Sequence, residues 1–124
     1  MKDLYNIEIL SLVKKDFIIK NKKILLKKEL TSDLNGLLII YAPWCNYCVL
    51  SKDMWNNLAT LFKGKFKIYS LNSYNFRDEN HKLTIPLNIR TYPLIKFITK
   101  KGNIIDYNYE ESDSELTKFI IKNI

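Results

Sequence analysis

The only two cysteines of the chain, Cys45 and Cys48, stand three positions apart. They follow an apolar run of strand length, Leu37–Tyr41, and an amphipathic helical pattern begins at Cys45. The N-terminus of a helix offers unpaired backbone N–H groups and the positive end of the helix dipole, and both favour a thiolate. A thiolate beside a second thiol is what thiol–disulfide exchange requires. The pair therefore predicts a redox site.

Length and composition limit the class of protein. A chain of 124 residues with 47% hydrophobic residues suits one compact domain over residues 1–124 and excludes disorder. No apolar run approaches the roughly 20 residues of a membrane helix, so we expect no membrane span. Residues 1–8 lack the basic segment and apolar core of a secretory signal, which predicts a cytoplasmic protein. In a reducing compartment, a cysteine pair is more often catalytic or metal-binding than structural.

The positive charge of the chain can be interpreted in two ways. The formal net charge is +7, and lysines are densest over residues 14–28. Such a stretch can bind an acidic partner, or it can be the solvated face of a hairpin. The apolar runs Phe17–Ile19 and Ile24–Leu26 flank Asn21, a residue that tolerates the positive φ of a tight turn. No glycine-rich loop or zinc spacing accompanies the lysines, so we predict a hairpin and no specific nucleic-acid partner.

The rest of the chain alternates strand and helix patterns without linkers or repeats. The first dozen residues have a weak period that suggests a short helix. Strands are expected at Leu37–Tyr41, Phe66–Leu71, Leu94–Ile98 and Ile104–Tyr109. Helices are expected at Cys45–Phe62, at Asn75–Leu83, and after a cap at Ser112 or Ser114. This order predicts an α/β fold with a central mixed β-sheet and helices on both of its faces.

Two segments together resemble a known family. The run Trp44-Cys45-Asn46-Tyr47-Cys48 and the later run Ile89-Arg90-Thr91-Tyr92-Pro93 are similar to the thioredoxin superfamily. The residues Ala42-Pro43-Trp44-Cys45 resemble the catalytic domains of protein disulfide isomerases. The resemblance covers residues 37–124, the motif-bearing part, whereas residues 1–36 are a divergent part with the predicted hairpin. It implies a thioredoxin-like fold.

The resemblance also assigns roles to individual residues. Cys45 matches the exposed nucleophile, and Cys48 matches the buried resolving thiol. Pro93 matches the family's cis-proline, whose neighbour pairs its backbone with an extended substrate. The residues expected to contact substrate are Trp44, Tyr47, Tyr92 and Pro93, although Tyr92 also suits a packing role.

Three positions depart from the family pattern. Thioredoxins and disulfide isomerases usually bury an acid six residues before the first cysteine, and Ile39 stands there. The lysine that often pairs with this acid is replaced by Ser70. Their joint absence leaves no unpaired buried charge, but Cys48 then lacks its proton acceptor, which predicts slow turnover. Between the cysteines, Tyr47 replaces the histidine of disulfide isomerases and is typical of glutaredoxins.

The sequence thus predicts a thiol–disulfide oxidoreductase of the thioredoxin and disulfide-isomerase type. Its expected partners are proteins that carry thiols or disulfides and a redox partner protein, and no cofactor is expected. The two cysteines with the lone His81 give an incomplete zinc shell, so no metal is expected either. Two alternatives are a non-catalytic module that binds peptides and a glutaredoxin-like, glutathione-dependent oxidoreductase. The sequence does not indicate the direction of catalysis.

Overall fold

A computed structural model describes residues 4–73 and 79–124 of the chain. The strands in these ranges are β1 (Leu10–Leu12), β2 (Phe17–Lys20), β3 (Lys23–Leu26), β4 (Gly36–Tyr41), β5 (Lys67–Asn72), β6 (Leu94–Ile98) and β7 (Ile104–Asp106). The α-helices are α1 (Asn46–Leu50), α2 (Lys52–Leu61) and α3 (Asp113–Lys122). Short 3₁₀ helices lie at Lys14–Asp16, Lys28–Leu30 and Glu79–Leu83. Within the described residues, no helix has both the length and the apolar character to cross a membrane.

The main sheet has the strand order β1-β5-β4-β6-β7. Strands β1, β5 and β4 run parallel, and β6 and β7 pair antiparallel, so the predicted mixed sheet is confirmed. Strand β4 lies at the centre, and all six of its residues are buried. A continuous apolar run is what a strand covered on both faces requires. The carboxyl end of this strand leads directly to the cysteines.

Two clusters of buried side chains cover the two faces of the sheet. On one face, Ile39 of β4 packs in the cluster that contains Trp55 of α2 and Leu116 of α3. On the opposite face, Leu38 packs in the cluster that contains Leu83 of a 3₁₀ helix and residues of β2 and β3. The thioredoxin-like arrangement is therefore present. The α-helices of the described residues cover one face, whereas a 3₁₀ helix and a hairpin cover the other.

The lysine-rich segment forms a two-stranded hairpin. Strands β2 and β3 pair antiparallel, and Asn21 and Lys22 turn the chain with φ values of 52° and 63°. The hairpin is attached to the main sheet, because the Leu26 N–H donates to the Gly102 carbonyl over 2.9 Å. Phe17, Ile24 and Leu26 of the hairpin pack in the second cluster, and Lys20, Lys22 and Lys23 lie at the surface. The lysine density thus belongs to a solvated hairpin face.

Two expected elements, the N-terminal helix and the last strand, differ from those in the structure. Of the first dozen residues, for which a short helix is expected, residues 1–3 lie outside the described part; residues 4–12 form no helix, and Leu10–Leu12 is instead an edge strand, paired with β5. Three residues are too few for periodicity to reveal, and the pairing comes from the tertiary structure. The strand expected at Ile104–Tyr109 ends at Asp106. Beyond it, the Tyr107 ring packs edge-on against Phe119 of α3 at 5.1 Å, which directs the chain toward that helix.

Two expected helices also differ. The helix expected at Cys45–Phe62 is divided at Ser51, whose hydroxyl donates to the Tyr47 carbonyl over 2.8 Å. A serine that bonds back to this carbonyl competes with the regular helix and bends it. Of the helix expected at Asn75–Leu83, residues 75–78 lie outside the described residues, and the rest is the 3₁₀ helix Glu79–Leu83. Helix α3 begins after Ser112, whose Oγ accepts from the Glu115 N–H.

Candidate functional site

The site begins where β4 ends. The chain turns after Tyr41, and the Cys45 N–H donates to the Ala42 carbonyl over 3.0 Å. Cys45 is then the N-cap residue of α1, and its Sγ accepts from the Cys48 N–H at 3.2 Å. A sulfur that accepts a backbone N–H at a helix start is stabilised in its anionic form. The local fold thus presents Cys45 as the acceptor and Cys48 as its neighbour one turn inward.

Both sulfur-bearing residues are largely enclosed. Cys45 is 4% exposed and Cys48 is fully buried. The expectation that Cys45 is an exposed thiol is wrong in degree, because the side chain turns back toward its own helix and joins the core cluster that also holds Tyr5 and Ala42. The relative order is as expected, with Cys48 the deeper of the two. Only a small part of the Cys45 surface is therefore accessible to solvent.

The environment of Cys48 disfavours its thiolate. Burial raises the pKa of Cys48 to about 12, and its hydrogen bond with Cys45 contributes in the same direction. A backbone hydrogen bond from Ala42 acts the opposite way, while the charges of Cys45 and Glu111 raise the pKa further. Cys48 is thus a neutral thiol at pH 7. Any step in which it attacks needs a group that takes its proton.

Three of the four predicted substrate-contacting residues, Trp44, Tyr92 and Pro93, form a rim next to Cys45. Trp44 is 59% exposed, and its ring meets Tyr92 edge-on at 5.7 Å. Tyr92 is partly buried, packs against the cluster that contains the cysteines, and shares a 3.0 Å hydrogen bond with the Ser73 hydroxyl. The Tyr92–Pro93 peptide bond is cis, as the motif predicts. The structure thus brings Trp44, Tyr92 and Pro93 together.

Tyr47 lies on another side of the site. Its ring is 46% exposed, and its hydroxyl donates to the backbone carbonyl of Glu111 over 3.1 Å. Glu111 belongs to the segment between β7 and α3 and is partly buried, which raises the pKa of its carboxyl group. The sequence did not indicate Glu111, because it lies 64 positions from Tyr47 in a segment without a motif. Tyr47 therefore attaches the segment before α3 to the helix of the cysteines.

The positions of the missing buried acid and lysine are direct neighbours. Ile39 of β4 and Ser70 of β5 are partners in the parallel register and lie on the same face. They are 0% and 1% exposed, and Ile39 belongs to the same cluster as Cys48. Neither side chain can accept a proton at neutral pH. Positions 39 and 70 therefore supply no base for Cys48.

The described residues contain no group of three or more His, Cys, Asp or Glu side chains placed to hold a metal ion. His81 lies on the 3₁₀ helix Glu79–Leu83, and Leu83 of this helix packs on the face of the sheet opposite the cysteines. The structure thus does not bring the lone histidine to the dithiol.

Comparison with known families and proteins agrees with this geometry. The Thioredoxin family model matches residues 17–122. A Dictyostelium discoideum sequence of the protein disulfide-isomerase class is 30% identical over 125 residues, which cover 96% of this chain and 28% of that protein. Thioredoxin M4 of Arabidopsis thaliana, a chloroplastic protein, is 31% identical over 99 residues, which cover 77% of this chain and 49% of that protein.

Similarity also extends to a solved structure. The crystal structure of the J-Trx1 fragment of ERdj5 superposes with a TM-score of 0.69 at 19% identity, covering 93% of this chain and 51% of that one. At this identity the likeness concerns the fold. The chain spans about a quarter of the length of the Dictyostelium protein and about half of the Arabidopsis thioredoxin.

Proposed function

Because the chain belongs to the thioredoxin family, we propose that it catalyses thiol–disulfide exchange with protein substrates through Cys45 and Cys48. The observation that carries this proposal is the position of Cys45, whose Sγ accepts a backbone N–H at the start of α1 directly above the buried Cys48. Relatives named as protein disulfide isomerases and thioredoxins support the same reaction class.

In the proposed reaction, the Cys45 thiolate attacks one sulfur of a substrate disulfide. The substrate S–S bond breaks, the other substrate sulfur leaves as a thiolate, and Cys45 forms a mixed disulfide. Cys48 then loses its proton and attacks Cys45 Sγ, which releases the second substrate sulfur as a thiolate. The substrate gains two electrons, and the chain ends with a Cys45–Cys48 disulfide that a redox partner protein reduces. The reverse sequence oxidises a substrate.

The rim favours extended protein segments as substrates. Trp44 exposes a large aromatic face, and its ring contacts Tyr92, whose backbone does not belong to a strand. An extended peptide can pair with such a backbone, while its side chains lie on the aromatic surface. We therefore propose protein disulfides as substrates in preference to small glutathione-mixed disulfides. A cytoplasmic location stays a prediction from the sequence.

Trapping of the mixed disulfide tests this function. The Cys48→Ser variant, incubated with a disulfide-bonded protein, is expected to form a covalent adduct that a thiol reductant releases. The matched Cys45→Ser variant should form none, because the remaining thiol is fully buried and neutral. Mass spectrometry of the non-reduced mixtures measures both. Adducts on Cys48 alone, or on neither variant, would contradict the assigned roles.

The low exposure of Cys45 supports a second candidate function, a non-catalytic module that binds peptides on the rim. In that case the Cys45→Ser/Cys48→Ser double variant would retain its partners, and the unaltered chain would not reduce disulfides. Calorimetric titration with an extended peptide and a reduction assay on the same preparation separate the two functions.

A further inference from the structure

Ser73 is a buried residue beside the rim that takes no part in the proposed exchange reaction. It directly follows β5 and is 0% exposed. Its hydroxyl shares a 3.0 Å hydrogen bond with the hydroxyl of Tyr92, a residue 19 positions away in the chain. A buried hydroxyl that loses such a partner destabilises the fold. The bond therefore fixes the end of the Tyr92 side chain relative to β5.

The Tyr92 ring is held by further contacts. It is partly buried and packs against both of the clusters that cover the sheet. Its backbone precedes the cis bond to Pro93 and belongs to no strand. Without a strand ladder at this residue, the contacts of the side chain determine where the ring lies. The hydroxyl bond to Ser73 is the directional one among them.

The Tyr92 ring in turn contacts the exposed ring of Trp44. The two rings meet edge-on, with their centroids 5.7 Å apart and their planes at 86°. Aromatic pairs prefer this geometry, and it is favourable beyond the burial of apolar area. Trp44 is 59% exposed, so much of its indole surface remains available to a ligand. Two successive contacts thus connect the buried Ser73, through Tyr92, to the exposed ring that precedes Cys45.

We propose that Ser73 is a positioning residue for substrate binding, whose hydroxyl fixes the Tyr92 ring and thereby holds the Trp44 ring in place for an extended protein segment. This inference rests on the proposed function. Because the rim carries no charged side chain, it favours substrates with an aromatic or aliphatic residue beside their cysteine. Immobilising a side chain on binding weakens affinity by about 2- to 10-fold, so a ring that is fixed beforehand binds more tightly.

Single-turnover reduction of two disulfide-linked peptides tests this role. Their halves carry a fluorophore and a quencher, and they differ only in having phenylalanine or serine beside the cysteine. For the phenylalanine peptide, Ser73→Ala is expected to raise the half-saturating concentration of the dithiol chain by about 2- to 10-fold. The limiting rate should change little, because the lost interaction acts on binding and not on the reacting sulfurs. The serine peptide should be affected less, so the preference for phenylalanine should decrease.

A second variant removes the other hydroxyl of the same bond. Tyr92→Phe should have the same effect as Ser73→Ala, and the double variant should be no weaker than either, because a single bond is lost. The matched controls remove a hydroxyl elsewhere and should keep the values of the unaltered chain. Ser70→Ala removes a buried hydroxyl that has no partner among the described residues. Tyr69→Phe removes a hydroxyl that donates to the Leu30 carbonyl.

Acrylamide quenching of tryptophan fluorescence reports on Trp44 without any reaction. Trp55, the other tryptophan of the chain, is 1% exposed and is therefore shielded from the quencher. Loss of the contact with Tyr92 should raise the quenching constant of Trp44 in Ser73→Ala and Tyr92→Phe, and in neither control. A change confined to stability would leave this constant unaltered in the folded protein.

The outcomes separate the positioning role from the proposed function. If Ser73→Ala and Tyr92→Phe match their controls in half-saturating concentration and in quenching, Ser73 does not position the rim. If their effects add in the double variant, the hydroxyl bond is not the cause. Should Ser73→Ala fail to fold, Tyr92→Phe against Tyr69→Phe decides alone. If the unaltered chain separates the halves of neither peptide faster than Cys45→Ser does, the proposed function itself fails, while the quenching result still tests the position of Trp44.

Discussion

Placing a carboxyl group at position 39 tests whether the core around β4 can hold a charged side chain. Ile39 is 0% exposed and lies in the core cluster with Cys48 and Trp55. Truncating a buried isoleucine costs about 2–5 kcal/mol, and burying a neutral polar group with incomplete hydrogen bonding adds about 1–3 kcal/mol. The Ile39→Asp variant should therefore lose about 3–8 kcal/mol of its free energy of unfolding. This is a large part of the roughly 5–15 kcal/mol of a typical domain.

The loss in the free energy of unfolding of Ile39→Asp should also depend on pH. Ile39→Asn is the matched control, because asparagine has the same shape as aspartate but no titratable group. Burial raises the pKa of the new carboxyl group in the folded state above the unfolded value of about 3.9. The two variants should thus be similarly stable below pH 4. Above pH 4, the free energy of unfolding of Ile39→Asp should fall relative to that of Ile39→Asn. The expected slope is about 1.4 kcal/mol per pH unit, until the carboxyl group ionises in the folded state.

Urea unfolding of both variants between pH 4 and pH 8 measures this difference. A second test uses Ser70, which is the register partner of Ile39. In the Ile39→Asp/Ser70→Lys double variant, the two new charges are adjacent. The loss in its free energy of unfolding should therefore be smaller than the sum of the losses in the two single variants. Equal pH dependence of Ile39→Asp and Ile39→Asn would refute the reasoning, since it would mean that the carboxyl group remains solvated.

Three further changes are expected to act on stability, and urea unfolding checks each of them. Tyr5→Phe removes a buried hydroxyl that has no partner among the described residues, so it should leave the free energy of unfolding unchanged or raise it by up to about 2 kcal/mol. Gly102→Ala should cost about 2 kcal/mol or more, because φ is +92° and the new Cβ would overlap the backbone carbonyl oxygen of Leu26 in β3. Gly64→Ala, with a φ of +81° and open space around the new Cβ, should cost about 1 kcal/mol. The Lys96 side chain is 10% exposed, and its ammonium lies 2.6 Å from the Asp106 carboxylate. Asp106→Asn removes the negative charge from this pair and should cost about 1–2 kcal/mol, while Lys96→Met should be nearly neutral. The opposite order within either of the last two pairs would contradict the packing described.

The parts of the fold that the sequence predicted are those with a local physical cause. The apolar run of β4 requires cover on both faces wherever it is placed, and the Asn21 turn fixes a hairpin between two neighbouring strands. The parts that it did not predict depend on distant partners. Strand β1 has only three residues and exists through its pairing with β5. The division of the long helix at Ser51 is the exception, because its cause is a single local hydrogen bond.

The same distinction applies to the site. The spacing of the cysteines and the later Tyr-Pro pair predicted which residues the fold brings together, and Trp44, Tyr92 and Pro93 do lie in one rim. Sequence reasoning also found that the usual buried acid is absent. It could not find Glu111, because only the folded chain joins the segment before α3 to Tyr47.

The side chain at position 47 has a structural role in this chain. The Tyr47 hydroxyl donates to the backbone carbonyl of Glu111 over 3.1 Å, and this bond joins the helix of the cysteines to the segment before α3. A proline at position 47 has no side-chain donor, and a histidine is too short to place a donor at the same point. The residue between the cysteines that departs from the family pattern therefore also attaches a distant part of the chain to the site.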